Sequence, residues 1–546
     1  MMRSNNRIAA SLLLLAAMLF VRCGEQLLAG GTSQTGNGVV LGAVVDSDGE
    51  PQRNVIVRLL PSTFDPVASG DVSPALRDTT DSNGTFCFSH VKPGDYRVGG
   101  VCLFSQTRSL SAVIRSADDT VRMVADTLLQ PGRIAIRLKP GSYHVGGYCY
   151  IPGSFVYTLL GTDSLAVVLD SVPPGTRGPV MCVSPNGAAP PETLVISVLV
   201  SPGATTAIPN AGWNYSRVLT LNTLPAGAGI VETVTSFPLL LRLNSTNFDF
   251  SRARSDGGDI RFSSSSGVPL PYEIERWDTT AKTAVIWVLA DTIRGNVGDQ
   301  FIIMDWGNGS AASQSNGAAV FTTASGFEAV WHLGESASGS TKDASANHYD
   351  GVPANTSPTP VAGAIGQGRQ FNGAVCFEVP QTASGSLNFP KNGVYTLSAW
   401  AWIETQNPQT RGILVKGEFQ YRLVWELDNR WLMTEYLDNT GWEVTDWPST
   451  AQTWAYITGV RNGDKEYLYV NGTCVNSTIT ISANTVSRDQ SNNLVIGCSL
   501  DRGNTYYHDY FLGKIDEARV SRIAHSPAWI KLCYMNQKPV DALISF

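Results

Sequence analysis

The chain has no basic cluster. Its 39 Lys and Arg are outnumbered by 46 Asp and Glu, for a formal net charge of −7. Nucleic-acid binding needs a basic face, and the sequence offers none. No C-x-x-C pair occurs among the nine cysteines, which argues against zinc ribbons and thioredoxin-type redox sites. G-x-S-x-G, H-E-x-x-H and phosphate-cradling glycine loops are missing too. Histidine is scarce: His90, His144, His332, His348, His508 and His525 are the six. None stands where a nucleophile's base would be expected, and a lone histidine is more often a surface residue than a ligand. Long Ala/Leu/Glu/Lys runs are absent. No segment beyond the N-terminal region reaches the roughly 20 apolar residues of a membrane helix.

What is abundant is strand and turn chemistry. Gly (52) and Pro (29) are frequent, and 43% hydrophobic with 9% aromatic residues is enough for several packed cores. A chain of 546 residues fits three to four domains. Phe86 and Phe88 alternate, "KPGD" turns, then Tyr96 and Val98 alternate. This is the period-two signature of strands joined by turns. The expected fold class is all-β, a series of tandem β-sandwiches.

The N-terminus reads as an export signal. Arg3 and Arg7 precede the apolar run 8–21, which is short for a membrane span. Cys23 follows where a bacterial lipoprotein signal places its lipidated cysteine. Arg22 departs from the small residue usual before it. A lipid anchor at Cys23 is one reading; a plain secretory signal or an uncleaved anchor is the other. Eight further cysteines divide evenly, with Cys87, Cys102, Cys149 and Cys182 in one half and Cys376, Cys474, Cys498 and Cys533 in the other. In an oxidising compartment this suggests disulfides, with buried free thiols as the alternative.

Residues 39–130 carry Gly42, Asp46, Gly49, Pro51, Val55 and Val57, then Asp81, Gly84, Phe86, Phe88, Pro93, Gly94 and Tyr96. In that order they resemble the carboxypeptidase regulatory-like domain, an immunoglobulin-like sandwich without catalysis. Residues 131–210 read as a second small sandwich, whose "LDSVPPGT" echoes the earlier "FSHVKPGD". Residues 211–325 hold "DIRF", "PYEIERW", Trp287 and "GN" at 307–308. They resemble a bacterial domain of unknown function that often precedes laminin-G-like modules. Residues 326–546 contain "AVWHLGE", "GAIGQGRQFNG", "YTLSAWAWIE", "LYVNG" and "LGKIDEARVSR". They resemble the laminin-G-like, concanavalin-type jelly roll. Residues 1–23 are then the signal and 24–38 a linker.

The candidate chemistry is modest. Asp516 and Glu517 are adjacent on an expected strand, where neighbouring side chains point to opposite faces. They would then not flank one glycosidic bond, and the family's "IDE" signature implies fold maintenance. Glycoside hydrolases related to laminarinases carry E-x-D-x-x-E on a strand, and no such run occurs. The nearest alternation, Glu273-Ile274-Glu275, suits a buried or edge structural role. "KDASANHYDG" offers hard oxygen donors suited to Ca²⁺, with Asp343 and Asp516 as the ligands, or an Asx-type turn. Trp431, Trp442 and Trp447, beside Tyr436, are candidates to stack on sugars, as are Tyr506 and Tyr507; packing is the alternative.

These readings describe an exported, lipid-anchored bacterial surface protein or a secreted one. It would bind a glycan or another surface polymer without catalysis, using Ca²⁺ at most as a cofactor. A purely structural envelope scaffold and a hydrolase with unrecognised carboxylates remain the alternatives.

Overall fold

A computed structural model describes residues 38–546, apart from 70–75, 103–104, 139–145, 162–165, 186–190, 196, 209–212, 266, 337–338, 382–386, 391–392, 407–408, 418, 427, 438–440 and 480–489. The expected signal, Cys23 and most of the linker lie outside the described residues. The chain is all-β, 52% strand against 5% helix. It divides into two compact units, Met1–Ala211 and Gly212–Phe546.

The first unit repeats one construction. Strand Gly38–Val45 pairs antiparallel with Thr85–Val91 and parallel with Thr120–Arg122. Strand Gly132–Arg137 pairs antiparallel with Ala166–Val172 and parallel with Thr205–Ala207. The register slips at the same place in both, between Gly38 and Val40 and between Gly132 and Ile134. The bulge residues His90 (φ 59°) and Ser171 (φ 53°) take the left-handed conformation just before Val91 and Val172. "FSHVKPGD" and "LDSVPPGT" are therefore the same bulge and turn. Val40, Val57, Phe86, Phe88 and Val98 fill one core, and Ile134, Ile136, Cys149, Leu169 and Cys182 the other.

In the second unit, a sandwich pairs Tyr215–Leu221, Gln300–Trp306 and Arg261–Ser264 in one sheet. Its other sheet orders Val234–Asn244, Thr283–Ile293 and Tyr272–Asp278. The runs "FPLLLRL" and "TAVIWVLADTI" are nearly continuous in apolar residues because both faces of this sheet are covered. One face packs inward; the other meets the jelly roll, and the two share one hydrophobic core.

The jelly roll stacks two sheets. One holds Thr359–Ala362, Gln367–Asn372, Leu512–Ser521, Val394–Ile403, Trp454–Asn462, Lys465–Val470 and Thr473–Ile479, with Phe327–Trp331 sharing the edge of Leu512–Ser521. The other runs from Val352–Pro353 through Phe377–Val379, Leu494–Ile496, Arg411–Lys416, Tyr421–Glu426 and Arg430–Leu437 to Gly441–Pro448. Trp331, Phe371, Leu397, Trp425, Trp431 and Ile515 fill the space between them.

The chain end does not stay with the jelly roll. Helix Pro527–Gln537, capped by Ser526, runs back to the preceding sandwich, and Ile544–Ser545 pairs with its strand Tyr215–Leu221. Strand Val234–Asn244 lies at a sheet edge, where unpaired backbone groups need partners. The Asn536 amide supplies them: its oxygen accepts from Leu240 N at 2.7 Å and its nitrogen donates to Leu240 O at 3.0 Å. Trp400 Nε1 of the jelly roll donates to Gln537 at 2.9 Å. The helix thus holds both sandwiches.

Candidate functional site

Strand Leu512–Ser521 changes partner halfway along. Its first part pairs with Gln367–Asn372 and its last part with Phe327–Trp331. At the changeover the register against Val394–Ile403 also shifts, and Glu517 takes φ 53°. This β-bulge overturns the alternation expected for Asp516 and Glu517. Ile515, Ala518 and Val520 point into the jelly-roll core, and both carboxylates turn away from it. They fill the gap left between the two edge strands. Asp516 accepts from Ile365 N at 2.8 Å, and Glu517 faces His332. Gly363 makes this approach possible, since a Cβ there would lie 2.3 Å from Asp516 Oδ2.

His332 is the hub. Its Nδ1 lies 2.7 Å from Glu517 Oε1, and its Nε2 lies 3.1 Å from Glu273 Oε2. Both ring nitrogens face carboxylates, which only the doubly protonated ring can satisfy. Glu275 stands 3.7 Å from Nδ1 and accepts from Trp287 Nε1 at 2.8 Å. Arg519 donates to Glu517 at 2.6 Å and lies 4.5 Å over the Trp287 ring. Burial opposes the charge on His332, but Glu517, Glu273 and Glu275 outweigh it and hold the imidazolium well above its ordinary range. Burial pushes Glu275 up to about 8 and raises Asp516 well above the carboxylate range, with Glu517 adding to both. Glu517 goes the other way: His332 and Arg519 overcome burial and keep it ionised. The result is a compensated buried network joining the two sandwiches.

Glu275, His332 and Glu517 bring their ligand atoms within 4.8 Å of one another. Their hydrogen bonds already account for the arrangement, with Arg519 beside them as a competing cation. Nor does the network suit hydrolysis. Asp516 and Glu517 are completely buried, whereas a glycosidase pair must flank an open cleft.

The Ca²⁺ pair does not fit. Asp343 Oδ1 accepts from Val330 N and Ser345 N, each at 2.9 Å. Its Oδ2 accepts from Ser345 Oγ and Tyr349 N, each at 2.8 Å. Four donors occupy the carboxylate, as in the Asx-type alternative. Asp516 binds the 363–366 turn rather than the 343–350 loop.

The aromatic candidates separate. Trp431, 1% exposed, belongs to the core and leaves the ligand set. Trp447, 42% exposed, lies opposite it on the edge strand Gly441–Pro448. Tyr507 donates to Glu378 and closes a hairpin over the apolar cluster around Cys376, Val424 and Cys498. Tyr506 is 66% exposed beside His508. Trp442, 40% exposed, joins a group that the sequence reading only partly named. Its ring lies 5.4 Å from Tyr436 and 5.7 Å from Phe419, with the Arg422 guanidinium 4.5 Å from its centroid. These side chains lie on the outer face of the seven-stranded sheet.

His332 was passed over as a lone histidine. The available signal was the coincidence of "EIE", "IDE" and a histidine just after a strand, whose charges must meet if all three are buried. His525 is buried and stacks 3.5 Å from Trp529. Disulfides join Cys149 to Cys182 and Cys376 to Cys498. Even pairing within each half fails, because Cys102, Cys474 and Cys533 are free thiols. Cys533 sits on the helix buried between the sandwiches, and Cys474 on an exposed strand.

No curated protein matches the chain. Among solved structures, the chain is similar to the binding domain of Paraclostridial Mosquitocidal Protein 1, at 13% identity and TM-score 0.31, covering 39% of this chain and 52% of that one. It is similar to the binding domain of botulinum neurotoxin serotype C1, at 11% identity and TM-score 0.32, covering 40% and 53%. Domain 4 of AbnA, a GH43 extracellular arabinanase from Geobacillus stearothermophilus solved with arabinotriose, gives 16% identity and TM-score 0.28, covering 38% and 97%. The chain thus spans about half the length of the toxin binding domains it matches. Residues 256–334 match the family model of a domain of unknown function, DUF2341, and residues 380–531 match that of the concanavalin A-like lectin/glucanases superfamily.

Proposed function

We propose that this chain is a non-enzymatic binding protein of the bacterial cell surface. Its jelly roll takes a glycan or a surface polymer on the outer face of the seven-stranded sheet. The observation that carries this reading is the Phe419–Tyr436–Trp442 group with Arg422 over the Trp442 ring. Trp442 offers an exposed flat apolar face, backed by the half-buried Phe419 and Tyr436 and by the buried Arg422, which is paired with Glu426. The carboxylates that might have acted as acid and base are sealed in the network around His332, which supports binding over catalysis. Two disulfides suit an oxidising compartment, and lipidation at Cys23 would hold the chain at the membrane surface. No helix among the described residues is long and apolar enough to cross a membrane.

A glycan array probed with the full chain tests the reading, with Trp442→Ala as the paired variant. Binding that this variant loses supports it. Product release from a glycan panel that depends on one carboxylate would replace it with a hydrolase. The scaffold reading rests on the continuous core between the second unit's two sandwiches, and silence across the array would favour it.

A further inference from the structure

The first unit holds a second cleft, unrelated to the jelly roll. In the sheet that pairs Ile56–Pro61 with Gly94–Cys102, Arg77 stands opposite Arg58 and Arg58 opposite Gly99. Leu60 stands opposite Arg97, and Arg97 opposite Ser111. Val57, Leu59 and Val98 point into the core, so alternation sends Arg58, Arg97 and Gly99 to the outer face. Gly99 has no side chain, and a Cβ there would meet nothing within 4 Å. The cleft floor is therefore open between the two arginines.

The neighbouring sandwich supplies the wall. Its hairpin is anchored by Gly153 N donating to Phe64 O at 2.9 Å and by Tyr148 donating to Asp65 at 2.8 Å. Phe155 thereby stands 4.8 Å from the Arg58 guanidinium, and Tyr157 also lines the cleft. Both rings are more than two-fifths exposed. The cleft is half open, with a volume of about 270 Å³, at the small end of ligand sites. Among the described residues neither Arg58 nor Arg97 has a carboxylate within ion-pair distance. Arg97 donates to Ser111 Oγ, at 2.5 Å. Like charges placed opposite each other across strands repel, so Arg77 against Arg58 has a cost that a bound anion would relieve.

We infer that the cleft between the two small sandwiches binds a carboxylated sugar. Arg58 and Arg97 would take the carboxylate, and the Phe155 and Tyr157 rings would cover the sugar's apolar face. Guanidinium forks match carboxylate geometry, and an arginine beside an aromatic ring is already positioned for it. A neutral sugar would bring no charge to either guanidinium; the one carboxylate lining the cleft among the described residues, Asp170, lies 3.6 Å from Arg133.

Isothermal titration calorimetry of the full chain with trigalacturonic acid, against uncharged galactotriose, tests this. The acidic probe should bind at least about tenfold more tightly, since a charge-assisted contact contributes on the order of 1.5–3 kcal/mol. Arg58→Gln and Arg97→Gln should each weaken it by about tenfold or more. Gly99→Leu should block it by filling the floor while leaving the melting transition in place. Loss of binding in the two arginine variants, both far from the jelly roll in sequence, assigns the site to this cleft. Equal affinity for both probes, no binding of trigalacturonic acid, or full binding by the arginine variants would overturn the inference.

Discussion

His332 Nδ1 lies 2.7 Å from Glu517 Oε1. This contact ties the turn after strand Phe327–Trp331 to the bulge of the strand Leu512–Ser521. Because Nε2 reaches Glu273 as well, one imidazolium joins the jelly roll to the sandwich before it.

Removing His332 should be costly. Breaking one partner from a buried ionic group typically costs about 3–5 kcal/mol. We expect His332→Ala to lower the unfolding free energy of the second unit by an amount in that range. Chemical denaturation followed by tryptophan fluorescence checks it, because Trp287 stacks on His332 at 5.7 Å. A loss below about 1 kcal/mol would match an exposed pair instead.

The same network gives a pH dependence with a definite sign. His332 is raised above 6.5, so its contribution is complete below that value and fades as pH rises through its folded pKa. Glu275 rises from 4.5 to about 8, so its ionisation penalises the fold increasingly between those values. Glu517 is lowered, so its contribution is lost as pH falls below about 4.5. Stability of this unit should peak in mildly acidic solution and decline toward alkaline pH. A melting temperature that climbs steadily from pH 5 to pH 9 would contradict this.

Asn536→Ala strips both backbone groups of Leu240 of their partners. Each buried group left unsatisfied costs about 1–3 kcal/mol. We expect a clear drop in thermal stability, and faster exchange of the Leu240 amide hydrogen read by mass spectrometry.

Metal removal should do nothing at the Asp343 loop. All the acceptor directions used by Asp343 go to protein donors. Thermal melts with and without chelator, and with added Ca²⁺, should coincide; a shift of several degrees would restore a calcium role.

How much of this was legible varies by residue. The strand alternation at Phe86 and Phe88 and the turns around "KPGD" follow from local chemistry, so the β class was readable. The concanavalin-type module was readable because its turn and strand motifs, such as "GAIGQGRQFNG" and "LGKIDEARVSR", stand in the family's order along the chain. The bulge at Glu517 was not readable. It arises where two edge strands, far apart in sequence, meet one partner strand, and nothing local in "KIDEARV" marks it. The chain end was misplaced for a similar reason. Helix Pro527–Gln537 follows the jelly roll in sequence but finds its partner at Leu240, 296 residues away. Trp431 and Trp442 look alike in sequence, yet strand parity sends the first inward and the second outward.

The decisive measurement compares Trp442→Ala with Trp431→Ala in a polysaccharide pull-down, each alongside a melt. The outer-face group predicts that Trp442→Ala loses binding and keeps the native transition. It predicts that Trp431→Ala loses about 3–5 kcal/mol of stability, as core tryptophans do. If Trp442→Ala binds as well as the unaltered chain, the ring cluster is not the ligand site and the proposed function fails with it.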